Sequence, residues 1–195
     1  MRNVTFRNIS LWRPLKAIYI KSNPGDQGTG LVENIVYEDI FIQQALWWTV
    51  WIGPQQQNQP GDSSGTGCNF LFPYIPICPT QPLVTMRGIV LRNVIATDTL
   101  PLFQGPGVVL CDAANPCRGL VFDNVVNTPF TGNTTELLLD LPFTWPPQHD
   151  GKTDMSDDWS FEYITSEAFG TTERLVNPPV CLERDCWWQP PATVH

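Results

Sequence analysis

The seven residues Asn3–Ile9, "NVTFRNI", carry the pattern that decides the fold. Apolar side chains stand at alternate positions, and an asparagine and an isoleucine follow. The pattern returns as "NIVYEDI" from Asn34, "GIVLRNV" from Gly88 and "GLVFDNV" from Gly119. Alternation of this kind is typical of a half-buried β-strand. The sequence therefore predicts four equivalent strands.

The spacing of these segments indicates stacked repeats. Val4 and Ile35 are 31 residues apart, and so are Ile89 and Leu120. The middle interval is longer, and we assign the difference to an insertion at residues 54–87. A second short strand follows each first one, as "AIYIKS", "TVWIGP", "GVVLCD" and "ELLLDL". Such repeats bury their inward side chains on their neighbours.

We therefore predict an all-β fold, a right-handed parallel β-helix solenoid, with a β-sandwich as the main alternative. Residues 1–141 form its coils, and residues 142–195 form an irregular tail that caps the open end within the same domain. The recurring Asn or Asp is predicted to be a turn residue that hydrogen-bonds its own backbone.

Composition limits the partners of the chain. Charged residues make up 15% of its 195 residues and the net charge is −8, which disfavours nucleic acid. No apolar run is long enough to span a bilayer, so no membrane partner is expected. The first residues lack the apolar region of a signal peptide and begin at once in a strand, as if cut from a longer protein. We expect a monomer.

The six cysteines fall into three neighbouring pairs. None has C-x-x-C spacing and the chain has only two histidines, so we predict neither a metal site nor a cofactor. Disulfides in a secreted protein fit better, and three glycosylation sequons agree with that compartment. The predicted bridges are Cys68–Cys78, Cys111–Cys117 and Cys181–Cys186, and the sequons begin at Asn3, Asn8 and Asn133.

A single lysine ends the strand in "KAIYIKSNPGDQGTG", residues 16–30, just before a glycine-rich loop. If Ile18 and Ile20 point inward, strand alternation turns Tyr19 and Lys21 outward. The next repeat places Trp51 beside Tyr19 on the same face.

Gly53 then lies beside Lys21 and leaves space above the sheet. An ammonium pairs well with a carboxylate, and flat aromatic rings suit the apolar face of a sugar. Tyr19, Lys21 and Trp51 are therefore a candidate patch for a sugar acid. Gln55 hydrogen-bonds sugar hydroxyls or belongs to a polar loop. The alternative for Lys21 is a solvated lysine that discourages strand pairing.

These segments together resemble glycoside hydrolase family 28, the polygalacturonases and related pectinases. The residues that carry the resemblance are "NVTFRNISLWRPLKAIYIKS" and "GTGLVENIVYEDIFIQQALWWTVWIGPQQQ", and "PPVCL" near Cys181 is similar to the end of that family's chains. The resemblance covers residues 3–130. It implies a pectin-lyase-like solenoid, inverting hydrolysis by two carboxylates, an acidic, pectin-like polysaccharide as partner, and a carboxylate contact for Lys21.

Two departures from the family change what is expected. Tyr19 stands where the family has arginine, which removes a second charge contact. The family's Asn-x-Asp, paired-aspartate and Gly-His-Gly motifs precede the lysine strand, and the twenty residues before Lys21 contain none of them. We expect the C-terminal part of a pectinase-like hydrolase, with no catalytic residue in this chain and no activity alone. The alternatives are a non-catalytic carbohydrate-binding β-helix and a structural solenoid.

Overall fold

A computed structural model of the chain describes residues 1–23, 28–55, 67–69, 72, 78–99, 106–132, 163–178 and 180. Within these ranges every regular element is a β-strand. The strands are β1 (Arg2–Trp12), β2 (Lys16–Ser22), β3 (Gly30–Gln43), β4 (Trp48–Pro54), β5 (Val84–Thr99), β6 (Gly107–Leu110), β7 (Cys117–Arg118), β8 (Val121–Pro129), β9 (Ile164–Ser166), β10 (Ala168–Phe169) and β11 (Thr172–Asn177).

The strands form two parallel sheets. Sheet A contains β1, β3, β5, β7, β8, β10 and β11, and sheet B contains β2, β4, β6 and β9. The chain alternates between the sheets, except that β7–β8 and β10–β11 are consecutive strands of sheet A. Each strand pairs in parallel with its counterpart in the next repeat. This arrangement is compatible with the predicted β-helix.

The register confirms the repeat that the sequence predicts. Val4 lies opposite Ile35, and Leu91 lies opposite Phe122. In sheet B, Tyr19 lies opposite Trp51. The alignment of the four segments therefore gives the pairing of strands in space.

The repeats continue further than the sequence predicts. The fourth strand of sheet B is Ile164–Ser166, whereas "ELLLDL" lies outside the described residues. The following strands, Ala168–Phe169 and Thr172–Asn177, add another layer to sheet A. All three were assigned to the irregular tail, because strands of two to six residues show little periodicity.

The inward faces of both sheets share one apolar core, as the alternation requires. Ile18 and Ile20 contribute from β2, and Val50 and Ile52 from β4, all at most 3% exposed. Fully burying one such side chain contributes about 1.5–3 kcal/mol. This core fixes which residues of β2 and β4 must point outward, and so positions the candidate site.

The recurring Asn or Asp lies inside the long strands of sheet A. Asn8, Asp39, Asn93 and Asn124 have φ between 50° and 56°, a left-handed conformation that these residue types tolerate. Their amides bond between repeats: Asn93 donates to Asp39 at 2.9 Å, and Asn124 donates to Asn93 at 3.0 Å. These amide bonds form a ladder that connects one repeat to the next.

An ion-pair column runs across the strands of sheet A. Arg7, Glu38, Arg92, Asp123 and Arg174 occupy equivalent positions in successive repeats. Arg92 bonds Glu38 at 3.1 Å and Asp123 at 3.3 Å. At the two ends of the column, Arg7 pairs with Glu38 and Arg174 pairs with Asp123. A one-residue slip would separate every pair, so the column favours the observed register.

Two of the three predicted disulfides are confirmed. Cys111–Cys117 and Cys68–Cys78 are bonded, while Cys181 and Cys186 lie outside the described residues, as does Asn133. Asn3 and Asn8 are exposed on β1. The described ranges hold no helix with the length and apolar character needed to cross a membrane.

Candidate functional site

The outer face of sheet B is lined with aromatic rings. We call it the aromatic face and define it by Tyr19 of β2, Trp47, Trp48 and Trp51 at β4, and Phe72 of the insertion. Trp51 lies at its centre, with ring centroids 5.8 Å from Trp48 and 6.2 Å from Phe72. Such edge-on pairs contribute about 0.5–1.5 kcal/mol beyond burial alone.

Trp51 occupies the predicted position but does not reach solvent. It lies beside Tyr19, with ring centroids 6.4 Å apart and planes at 88°. Its side chain is 0% exposed, because Trp47, Trp48 and the insertion residue Phe72 pack over it. The prediction that Trp51 presents an open ring to a sugar is therefore wrong. Alternation gives the face of a side chain, but it does not predict that an insertion folds back over that face.

Two further details of the predicted patch also change. Gly53 lies beside Lys21 as expected, but a Cβ added there would lie 2.9 Å from the carbonyl oxygen of Leu110. The residue is thus needed for close backbone approach and does not open a space above the sheet. Gln55 is 6% exposed, so it does not present its side chain to a polysaccharide.

Gln55 instead connects the insertion to sheet B. Its backbone N–H donates to the carbonyl of Ser22 at 2.7 Å, and its carbonyl accepts from the N–H of Cys68 at 2.8 Å. Cys68 and Cys78 are bonded and pack against the aromatic face. The start of the insertion is thereby held against the ends of β2 and β4.

Lys21 and Tyr19 retain the arrangement that the sequence predicts. Lys21 is exposed at the end of β2, and Tyr19 is half-buried. The ammonium of Lys21 lies 5.8 Å from the centroid of the Tyr19 ring. The positive charge of Lys21 therefore lies at the solvent-exposed edge of the aromatic face, beside the Tyr19 ring, which packs against Trp51.

A second lysine, which the sequence analysis missed, lies in the same place. The ammonium nitrogen of Lys16 is 4.4 Å from the ring centroid of Tyr19, 4.5 Å from that of Trp47 and 4.8 Å from that of Trp51. Lys16 has the same parity as Ile18 and Ile20, so alternation would point it into the core. The missed signal was a lysine at the first residue of an apolar strand, where it cannot be buried without special contacts.

The surroundings of Lys16 alter its acid–base chemistry. Burial, with the positive charge of nearby Lys21 as a smaller second cause, lowers its pKa to about 7. The ring faces favour the ammonium and act in the opposite sense. Near neutral pH the amine therefore samples both its neutral and its charged form.

Within the described residues, acidic, histidine and cysteine side chains form no candidate metal centre beside this site, since no three of them are grouped so as to hold a metal ion. The sequence also contains an adjacent acidic pair, Asp157 and Asp158, and a histidine, His149, all of which lie outside the described residues. What the described residues bring together is two lysines and a set of aromatic rings, an arrangement suited to binding an anion with an apolar body.

Comparisons of the chain with protein-family models, with curated proteins and with solved structures found no match. The resemblance to glycoside hydrolase family 28 therefore stays a prediction from the sequence.

Proposed function

We propose that the two stacked sheets form a right-handed parallel β-helix of the pectin-lyase type. The support is that the chain returns repeatedly from sheet A to sheet B and back, with parallel pairing between the strands of both sheets. Parallel strands joined by crossovers adopt the right-handed sense in nearly all proteins, because strand twist favours it.

We further propose that the chain is the C-terminal, carbohydrate-binding part of a secreted, monomeric, pectinase-like glycoside hydrolase, and that its partner is an acidic polysaccharide. The observation that carries this proposal is the exposed ammonium of Lys21 beside the Tyr19 ring. The two disulfides fit an oxidising compartment.

Charge and rigidity support an acidic ligand. A charge-assisted contact between an ammonium and a carboxylate contributes roughly 1.5–3 kcal/mol, which corresponds to about ten- to a hundred-fold in affinity. The Tyr19 ring packs edge-on against Trp51 on the neighbouring strand, so little side-chain entropy is lost when a sugar ring packs on it. Because the net charge of the chain is −8, an anionic ligand needs a local cation such as Lys21 to offset the general repulsion.

The hydrolytic step is assigned by the resemblance alone. In inverting hydrolysis one carboxylic acid protonates the leaving oxygen, and a second carboxylate activates water. The resemblance places both on strands that precede the lysine strand, so Lys21 has a binding role and not a role in proton transfer. A carbohydrate-binding β-helix without catalysis is the alternative, and it makes the same prediction for Lys21.

The binding role is tested with the 195-residue chain and oligogalacturonates reduced at their ends, in acid and methyl-ester form. We expect Lys21→Ala to weaken the acid about ten- to a hundred-fold and to leave the ester nearly unchanged, since esterification removes the partner charge. Arg118→Ala, which removes an exposed cation from sheet A, is the matched control and should alter neither. Equal loss of acid and ester binding would overturn the carboxylate contact.

The catalytic assignment has a separate test. The chain alone should release no reducing sugar from polygalacturonate, because it lacks the acid and base that the resemblance requires. Measurable release, absent from a heat-inactivated sample, would show that the catalytic carboxylates lie within these residues.

A further inference from the structure

We propose that Lys16 is a nucleophilic amine that forms an imine with a carbonyl acid, a small aldehyde or ketone whose carboxylate is held by Lys21. The proposal shares the anion contact of Lys21 with the proposed function, but it requires neither a polysaccharide nor hydrolysis.

The first argument is the environment of the amine. Lys16 is partly buried, and its nitrogen is surrounded by the rings of Tyr19, Trp47 and Trp51 at centroid distances of 4.4–4.8 Å. Removal from water in an apolar pocket activates lysines that act as nucleophiles, and around Lys16 this effect opposes the attraction of the ring faces for its ammonium. The lowered pKa of Lys16 agrees with this geometry.

The second argument is the neighbouring cation. Lys21 and Lys16 both lie over Tyr19, at 5.8 Å and 4.4 Å from its ring centroid. A second positive charge disfavours the ammonium of Lys16 and attracts an anionic reactant, so it contributes to both reactivity and selectivity. An exposed lysine at a strand end without such a partner would do neither.

The chemistry is a condensation without redox change. The lone pair of the neutral Lys16 nitrogen attacks the carbonyl carbon and forms a carbinolamine. The carbonyl oxygen then leaves as water with the two amine protons, and a C=N bond remains. The carboxylate of the reactant keeps its charge throughout and faces the ammonium of Lys21.

Glyoxylate, the smallest aldehyde acid, is a suitable probe. The folded chain is incubated with glyoxylate and sodium cyanoborohydride near pH 7, so that hydride reduces any imine to a stable carboxymethyl amine. Peptide mass spectrometry then measures the rate at each amine. The chain has only three lysines, Lys16, Lys21 and Lys152, so each site is resolved.

We expect Lys16 to be labelled roughly tenfold or more faster than Lys21 and Lys152, since a lowered pKa leaves more neutral amine near pH 7. Unfolding in urea should make the three rates similar. Lys21→Ala should slow the labelling of Lys16 by glyoxylate more than its labelling by propionaldehyde, which has no carboxylate. This comparison separates anion capture from the effect of Lys21 on nucleophilicity.

Two results would overturn the proposal. Labelling of Lys16 in the folded chain no faster than that of Lys152 would exclude an activated amine. An equal effect of Lys21→Ala on the acid and on the neutral aldehyde would exclude capture of the carboxylate. Neither result bears on binding of the end-reduced oligogalacturonates, which contain no carbonyl, so this proposal and the proposed function fail independently.

Discussion

The outer faces of sheets A and B are built on the same repeat but carry opposite kinds of side chain. On sheet A, charged and amide groups form columns in which each residue bonds its equivalent in the next repeat. On sheet B, the outward positions include Tyr19 and Trp51 along with aliphatic residues, and the insertion residues Cys68, Phe72 and Cys78 pack against them. Sheet A is regular and open to solvent, and sheet B is irregular and covered.

The difference between the two faces shows where a repeat protein can form a specific binding site, namely where the side chains depart from the repeat. The two columns of sheet A satisfy themselves, since the charges and amides within them meet partners one repeat away. The aromatic face departs from the repeat, and there Lys16 is held among rings at the first position of β2. A partly buried lysine lowers the stability of the fold, and natural proteins carry such unfavourable placements mainly at functional sites.

The largest contrast between the faces should appear when one aromatic residue is removed from each. Trp51→Ala deletes a fully buried ring on sheet B and should lower the free energy of unfolding by about 3–5 kcal/mol. Phe41→Ala, on sheet A, removes a ring that is 46% exposed and should cost far less, about 1 kcal/mol or below. Urea denaturation of both variants measures this, and similar losses would mean that the aromatic face is not a packed core.

The second contrast concerns pH. Because the pKa of Lys16 is lowered to about 7 in the folded chain, the unfolded chain binds more protons between that pH and the ordinary lysine pKa. Stability should therefore rise with pH above 7, by at most about 1.4 kcal/mol per pH unit from this one group. Urea denaturation at pH 7, 8 and 9 measures the slope.

Lys16→Met is the matched variant for the pH series, because it keeps an unbranched apolar chain among the rings and removes the proton. It should flatten the slope between pH 7 and 9. The series stops below pH 10 because burial raises the pKa of Tyr37 and Tyr163, which makes stability fall once the unfolded tyrosines ionise. An unchanged slope in Lys16→Met would assign the titration to another group.

The contrast also explains how much the sequence predicted. Strand identity, the 31-residue offset and the Tyr19–Trp51 pairing follow from periodicity, and the structure agrees with them. Periodicity describes one strand and its neighbours, so it cannot report what lies above the sheet. The burial of Trp51 and Gln55 depends on the insertion, whose path has no periodic signal.

Lys16 was missed for a related reason. Alternation assigns each side chain of a strand to one of two faces. It does not predict a first residue, such as Lys16, whose side chain contacts the face opposite to the one that its position implies. The aromatic residues that receive Lys16 come from β2, from β4 and from the residue before β4. Such a contact set combines three positions from two repeats, and no single pattern in the sequence contains it.

The third contrast tests what stabilises sheet A at Asn93: the fit of this residue to a left-handed backbone conformation, or the side-chain amide bonds between repeats. Asn93 has φ 50° and bonds both Asp39 and Asn124. Asn93→Ala places a Cβ-bearing residue with no local hydrogen bond in the left-handed region and should cost about 1–2 kcal/mol. Asn93→Gly keeps that conformation and loses only the exposed amide bonds, so it should cost less than half as much. Equal losses in thermal or urea unfolding would place the stabilisation in the ladder.

The smallest effect should come from the ion-pair column. Asp123 lies between Arg92 and Arg174 and is 16% exposed. Asp123→Asn leaves two arginines without their shared carboxylate and should lower stability by about 0.5–1 kcal/mol at low salt, the range of largely exposed pairs. At about 1 M salt the Debye length falls to roughly 3 Å, so this loss should shrink.

Arg118→Gln is the opposing control, since Arg118 lies opposite Arg87 in the register. Removing one of two like charges should be neutral or slightly stabilising at low salt and without effect at high salt. If Asp123→Asn costs the same at both salt concentrations, its contribution is packing or hydrogen bonding, and charge does not select the register of sheet A.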